Sequence, residues 1–156
     1  MGRLGDALKA HWTARGLMFR PGALEETLAE FECRHTIRLP SDMRDYFSIV
    51  DGMDAVDEEN LFGWDEDLFR FWPLSEVECV TDYFSLHRPS AFYIFSDHSI
   101  NLPSFAIRLT PKTSSGNCVL AIYSDCGTFK ATKVAGSFSE FLGKYLEGEV
   151  SRYGLL

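Results

Sequence analysis

Asp97, His98 and Ser99 are the residue types of a hydrolytic triad, and they stand side by side in this 156-residue chain. The chemistry would be attack by the serine hydroxyl, with the imidazole as base and the carboxylate orienting it. Triad members converge from separate segments, however, whereas neighbouring residues project in different directions. No G-x-S-x-G elbow is present to expose a nucleophile. The stretch from Asp97 to Pro103 therefore reads as a loop between strands, rich in turn-forming residues. A small hydrolase using His98 with Asp97 or Asp125 stands last of three functional readings, and the expectation is that the chain is not an enzyme.

Metal and cofactor chemistry find little to work with. Cys33, Cys79, Cys118 and Cys126 form no C-x-x-C pair, and the nearest approach to ligand spacing is Cys33-x-His35. Asp51-Gly52-Met53-Asp54 breaks the order of a calcium loop, and no Glu completes its frame. Neither phosphate-binding glycine motif occurs. No metal and no cofactor are expected, and His11 and His35 read as packing histidines.

Charge is more informative. The formal net charge is −8, from 23 acidic and 15 basic residues. Asp51, Asp54, Asp57, Glu58, Glu59, Asp65, Glu66 and Asp67 fall in one window without a Lys or Arg, which leaves the rest of the chain neutral. Met53, Leu61, Phe62 and Trp64 are set among these carboxylates. An interface for a basic partner needs this combination, in which carboxylates steer the encounter and an aromatic anchor slows dissociation. The candidate partner-binding residues are thus Asp54, Asp57, Glu58, Glu59, Phe62, Trp64, Asp65, Glu66 and Asp67. The alternative is a solvated loop whose aromatics turn into the core. Direct nucleic-acid binding requires a basic stripe. Lys130 and Lys133 are the one close lysine pair, a modest positive patch if they share a strand face.

The elements that must hold this window can be read from periodicity. With 46% hydrophobic and 14% aromatic residues the chain can bury a core, and one domain over 1–156 is expected. Leu4, Ala7, Leu8, His11 and Trp12 mark a first helix, and Leu24, Leu28 and Phe31 the inward side of a second, from Ala23 to about Glu32. Leu39 to Gly52 reads as a third helix with Pro40 at its first position and Asp42 in its first turn. Its buried stripe is Met43, Tyr46, Phe47 and Val50, and Gly52 is its stop. Leu68 to Pro73 suits a strand, and Ser75 to Glu78 has the capping-box spacing that opens a helix to about Leu86. Four strands follow, around Ala91–Phe95, Phe105–Leu109, Cys118–Tyr123 and Phe129–Val134, with connections short enough for an antiparallel meander. A second capping box, Ser137 with Glu140, opens a closing helix with Phe138, Phe141, Leu142, Tyr145 and Leu146 on one face. The class is α+β. No apolar run suits a membrane span and Met1 to Asp6 lacks the features of a signal peptide, so a cytoplasmic protein is expected.

Three pieces in order carry a resemblance: Leu39-Pro40 with Tyr46, Phe47 and Gly52; the aromatic strand from Phe71 to Leu74; and Ser137-Phe138 with Phe141-Leu142. In these the chain resembles the Smi/Knr group of the SUKH superfamily over roughly residues 24 to 147. Asp51 stands where that family usually shows Asn, and Ser96 to Asn101 replace a turn that is often glycine-rich and acidic. The resemblance implies a non-enzymatic binding fold. Bacterial members resemble immunity proteins that neutralise polymorphic toxins, often nucleases, while some fungal members are interaction hubs. The first expectation is therefore an immunity protein, monomeric or weakly dimeric, that binds a basic toxin domain through the segment from Asp54 to Asp67. The alternative is an intracellular adaptor of the same fold with no toxin partner.

Overall fold

The computed structural model describes residues 2–54, 69–85, 90–98, 103–112, 116–125 and 128–150. Three helices come first: α1 (Gly2–Ala14), α2 (Glu25–His35) and α3 (Ser41–Ile49). Then follow β1 (Phe69–Phe71), β2 (Glu78–Cys79), the one-turn α4 (Val80–Tyr83), β3 (Phe92–His98), β4 (Ser104–Arg108), β5 (Val119–Asp125), β6 (Thr128–Ala135) and α5 (Phe138–Leu146). The strands form a six-stranded sheet ordered β1-β3-β4-β5-β6, with β2 also paired to β3. Every pairing is antiparallel. The α+β class and the β3–β6 meander are as the sequence leads one to expect.

The sheet has two differently covered faces. On one, Phe69, Phe71, Phe95, Phe105, Ile107 and Ala121 pack with Leu8, Trp12, Leu28, Phe47, Phe138 and Phe141 from the helices. Phe71 is fully buried and lies 4.9 Å from the Tyr145 ring, 5.4 Å from Trp12 and 6.3 Å from Phe141. On the other face Trp72, Val80, Ile94, Ala106 and Ile122 make a smaller cluster, edged by Tyr83, Phe84, Phe92 and Leu120. Met43, Tyr46 and Phe47 of α3 are buried, as is Val50, which follows the helix in extended conformation. Asp42 joins α3 to α5, because its Oδ2 accepts from the Ser139 amide at 2.9 Å and hydroxyl at 2.8 Å. Ser137 caps α5 by accepting from the Glu140 amide at 3.1 Å, while Glu140 accepts from the Gly136 amide at 2.8 Å.

Several local expectations are corrected by tertiary contacts. Leu24 is not an inward residue of α2. It occupies the N-cap and is 67% exposed, while Glu32 is buried, its carboxylate accepting from the Leu39 amide and paired with Arg44. In α1 the inward face takes Gly5 rather than Ala7, since a Cβ at position 5 would come within 2.6 Å of the Ile49 side chain. Pro40 is the N-cap of α3 and not its first residue. Ser75 to Glu78 open no helix. The chain turns there, Glu78 enters β2, and the Glu76 carboxylate is drawn to the buried Arg70. Asp97 and His98 belong to β3 and not to a loop. Lys130 and Lys133 share no face: Lys130 pairs with Tyr123, which borders the helix-side core, and Lys133 with Leu120, which borders the outer cluster.

Candidate functional site

The described chain on either side of the acidic window, residues 51–54 and 69–74, runs along one margin of the sheet. Ahead of it, the strap from Phe19 to Ala23 runs beside the end of α3. Pro21 and Val50 form an antiparallel bridge, the Arg20 amide donates to Gly52 O at 2.9 Å and the Asp51 amide to Arg20 O at 3.1 Å. The Met53 amide then donates to Phe71 O at 2.8 Å, so the chain entering the window lies against the chain leaving it. Gly52 has φ +67°, and a Cβ there would come within 2.5–2.7 Å of the Trp72 and Pro73 backbone. Its glycine is thus required by this close approach, and not as a helix stop, because α3 ends at Ile49 with Val50 extended.

Buried polar groups lock the same margin. Arg70 is 8% exposed. Its Nη1 donates to Met53 O at 3.0 Å, its Nη2 to Glu76 Oε1 at 2.8 Å, and its guanidinium lies 5.6 Å from the Trp72 ring centroid. Trp72 Nε1 donates to Asp97 Oδ1 at 3.2 Å, and Ser96 Oγ donates to Arg70 O at 3.0 Å. Asp51 is also part of this lock: it is 9% exposed, and its Oδ1 accepts from the Leu74 amide at 2.7 Å. Burial raises its pKa, opposed by the Leu74 hydrogen bond and by Arg20 and reinforced by Asp54. One of the eight window carboxylates is therefore structural.

Asp54 is the one candidate partner-binding residue within the described part. Its side chain is 69% exposed and stands 3.8 Å from Arg20 Nε. Asp57, Glu58, Glu59, Phe62, Trp64, Asp65, Glu66 and Asp67 lie outside the described residues. Sequence reasoning missed Met18 and Leu24, which are 66% and 67% exposed and flank the strap that pairs with Val50 to Gly52. Leu24 was hidden by its helical spacing to Leu28, and Met18 carries no local signal beyond following the Gly16 turn, where φ is +68°.

The sequence-level catalytic and metal candidates do not converge. Asp97 and His98 are consecutive on β3 and point to opposite faces: Asp97 is opposite Arg70 and bonded to Trp72, while His98 is opposite Phe69 with ring centroids 6.2 Å apart. His35 lies 4.5 Å from the Phe31 ring and 5.4 Å from Tyr93, and burial, then the charge of Arg34, lower its pKa against an opposing pull from Asp82. It borders an open groove of about 470 Å³ that Arg70, Glu76 and Tyr83 also line. Among the described residues no three His, Cys, Asp or Glu side chains assemble as metal ligands. No helix among them is long and apolar enough to cross a membrane.

Residues 22–144 match the SMI1 / KNR4 family (SUKH-1). The chain belongs to this family. The SUKH-1 match begins inside the Phe19–Ala23 strap and ends inside α5, so it takes in the whole sheet and both ends of the acidic window. SUKH domains are known for protein–protein interaction and are generally non-catalytic, which makes this chain a binding domain. No significant match to a curated relative accompanies the family match.

Proposed function

We propose that this SUKH-1 domain is a cytoplasmic immunity protein that binds and neutralises a basic toxin domain, with the segment from Asp54 to Asp67 as its recognition element. The observation that carries the reading is the concentration of the net charge of −8 in a window whose two ends are clamped together at one margin of the sheet. Clamped ends lower the ordering cost of binding, because the stem is already in place when the partner arrives. Carboxylates select a basic surface and accelerate encounter. Met18 and Leu24, exposed on either side of the neighbouring strap, add apolar area that a partner can desolvate. A toxin that grips nucleic acid needs a basic groove, and an acidic segment seated in it would exclude the substrate.

The test is affinity capture of the tagged protein from its host lysate at low and high salt, beside a variant carrying Asp65→Lys, Glu66→Lys and Asp67→Lys. The expected result is one stoichiometric basic partner, encoded next to this gene, that salt and the triple reversal both weaken while the melting temperature stays unchanged. A partner bound equally well by the reversed variant overturns the role of the segment. Several host proteins in place of one would favour the adaptor reading.

A further inference from the structure

We propose that the outer edge of β6 is a second docking site, which accepts an extended acidic segment of a partner protein as an added strand. The sheet order ends at β6, so one edge of this strand pairs with β5, and among the described residues no strand pairs with the other. Thr128 to Lys133 are exposed on both faces of the sheet, and burial resumes only at Val134 and Ala135. There α5 takes over, with Lys144 Nζ donating to Val134 O at 2.7 Å. An exposed edge of this length presents a row of backbone donors and acceptors, the template used in recognition by strand addition.

Charge selects the occupant. The β6 sequence TFKATKVA holds Lys130 and Lys133 and no acid, in a chain whose net charge is −8. A second copy of β6 therefore meets no carboxylate opposite either lysine in any register. An acidic strand does. Residues directly opposite one another in an antiparallel pair share a face, and Lys130 and Lys133 lie on opposite faces. Two carboxylates three positions apart on the incoming strand thus meet both lysines, one on each side of the sheet. Phe129 adds an apolar anchor on the outer face: it is 41% exposed, and its ring is 5.6 Å from Phe84, which in turn is 5.0 Å from Tyr83. The fitting pattern on an antiparallel partner is Glu-x-x-Glu followed by an apolar residue opposite Phe129. This site differs from the acidic window in sign and in position, being at the far margin of the sheet.

The experiment titrates the isotopically labelled full chain with the synthetic peptide Thr-Glu-Thr-Val-Glu-Val-Thr and, separately, with its counterpart in which both Glu are Lys, following backbone amide shifts and hydrogen exchange. The expected result is perturbation and protection of the amides of residues 128–133 by the acidic peptide alone, weakened by added salt and unaffected by the Asp65–Asp67 reversal. Combining Lys130→Glu with Lys133→Glu, both at exposed positions, should shift relative affinity toward the lysine peptide by about tenfold, since each rim pair changes from attraction to repulsion. Equal binding of the two peptides, perturbation located elsewhere, no response from β6, or protection of the same amides by self-association as protein concentration rises would each overturn the proposal.

Discussion

The two margins of the sheet are built on opposite plans. At the β1 margin the chain ends that bracket the acidic window are tied by a backbone bond from Met53 to Phe71 and by the buried Arg70, Asp51 and Asp97. At the β6 margin six consecutive residues are exposed, and β5 supplies the strand pairing. Buried polar groups are costly unless partnered, so they appear where a geometry has to be unique. On the outer side of β6, by contrast, no strand pairs among the described residues. The first margin brings the two chain ends that bracket the acidic window together, while the second is the margin at which we propose strand addition.

Four substitutions break or sharpen this contrast. The largest expected effect is at the root of the β1 margin. Phe71→Ala removes a fully buried ring that touches α1 and α5 together and should cost about 3–5 kcal/mol in denaturant unfolding. Gly52→Ala comes next. It must hold a left-handed backbone and place a methyl group within 2.5 Å of the Trp72 carbonyl carbon, and should cost at least about 2 kcal/mol by the same measurement. A loss below about 0.5 kcal/mol would show that the window's stem yields easily.

Asp51→Asn sharpens the contrast through pH. Burial holds the folded-state pKa of Asp51 above its ordinary value. The stability linked to its protonation is present below about pH 3.9 and is lost as pH rises through the raised folded value. Asn keeps an acceptor for the Leu74 amide without the buried charge. Thermal melts from pH 3 to 8 should therefore show little difference between variant and parent at the acid end, and a more stable variant at pH 7. A variant less stable at pH 7 would mean that the charge strengthens the Leu74 bond by more than burial costs. The Asn that the Smi/Knr resemblance leads one to expect at this position suits the same acceptor role. The smallest effect belongs to the other margin, where Lys133→Ala, at an exposed site, should change unfolding free energy by no more than about 0.5 kcal/mol. A larger loss would indicate that β6 depends on its side chains and is not merely carried by β5.

Local pattern was sufficient for several elements, and the particular residues show why. The α3 and α5 stripes repeat at helical spacing, and the Ser137–Glu140 box acts within one turn, so each is decided by neighbours a few positions away. The order of β3 to β6 followed from short connections that leave little choice but antiparallel neighbours. The acidic window was legible as composition, because charge depends on residue type alone. Of the residues singled out there, Asp54 could be placed, exposed and beside Arg20.

What only the tertiary structure decided concerns partners distant in sequence. Leu24 has the spacing of a core residue but stands exposed at the N-cap of α2, and Glu76 has the spacing of a cap but answers to a buried arginine. Gly52 is glycine because Trp72 and Pro73 pass beside it, and Asp51 is buried because the Leu74 amide and the fold enclose it. Strand alternation turns Asp97 and His98 apart and places Lys130 and Lys133 on opposite faces once Tyr123 and Leu120 are their neighbours. Periodicity and charge are properties of the chain read locally; burial and pairing depend on which segments meet, and the amino-acid sequence alone determined the former while long-range packing determined the latter.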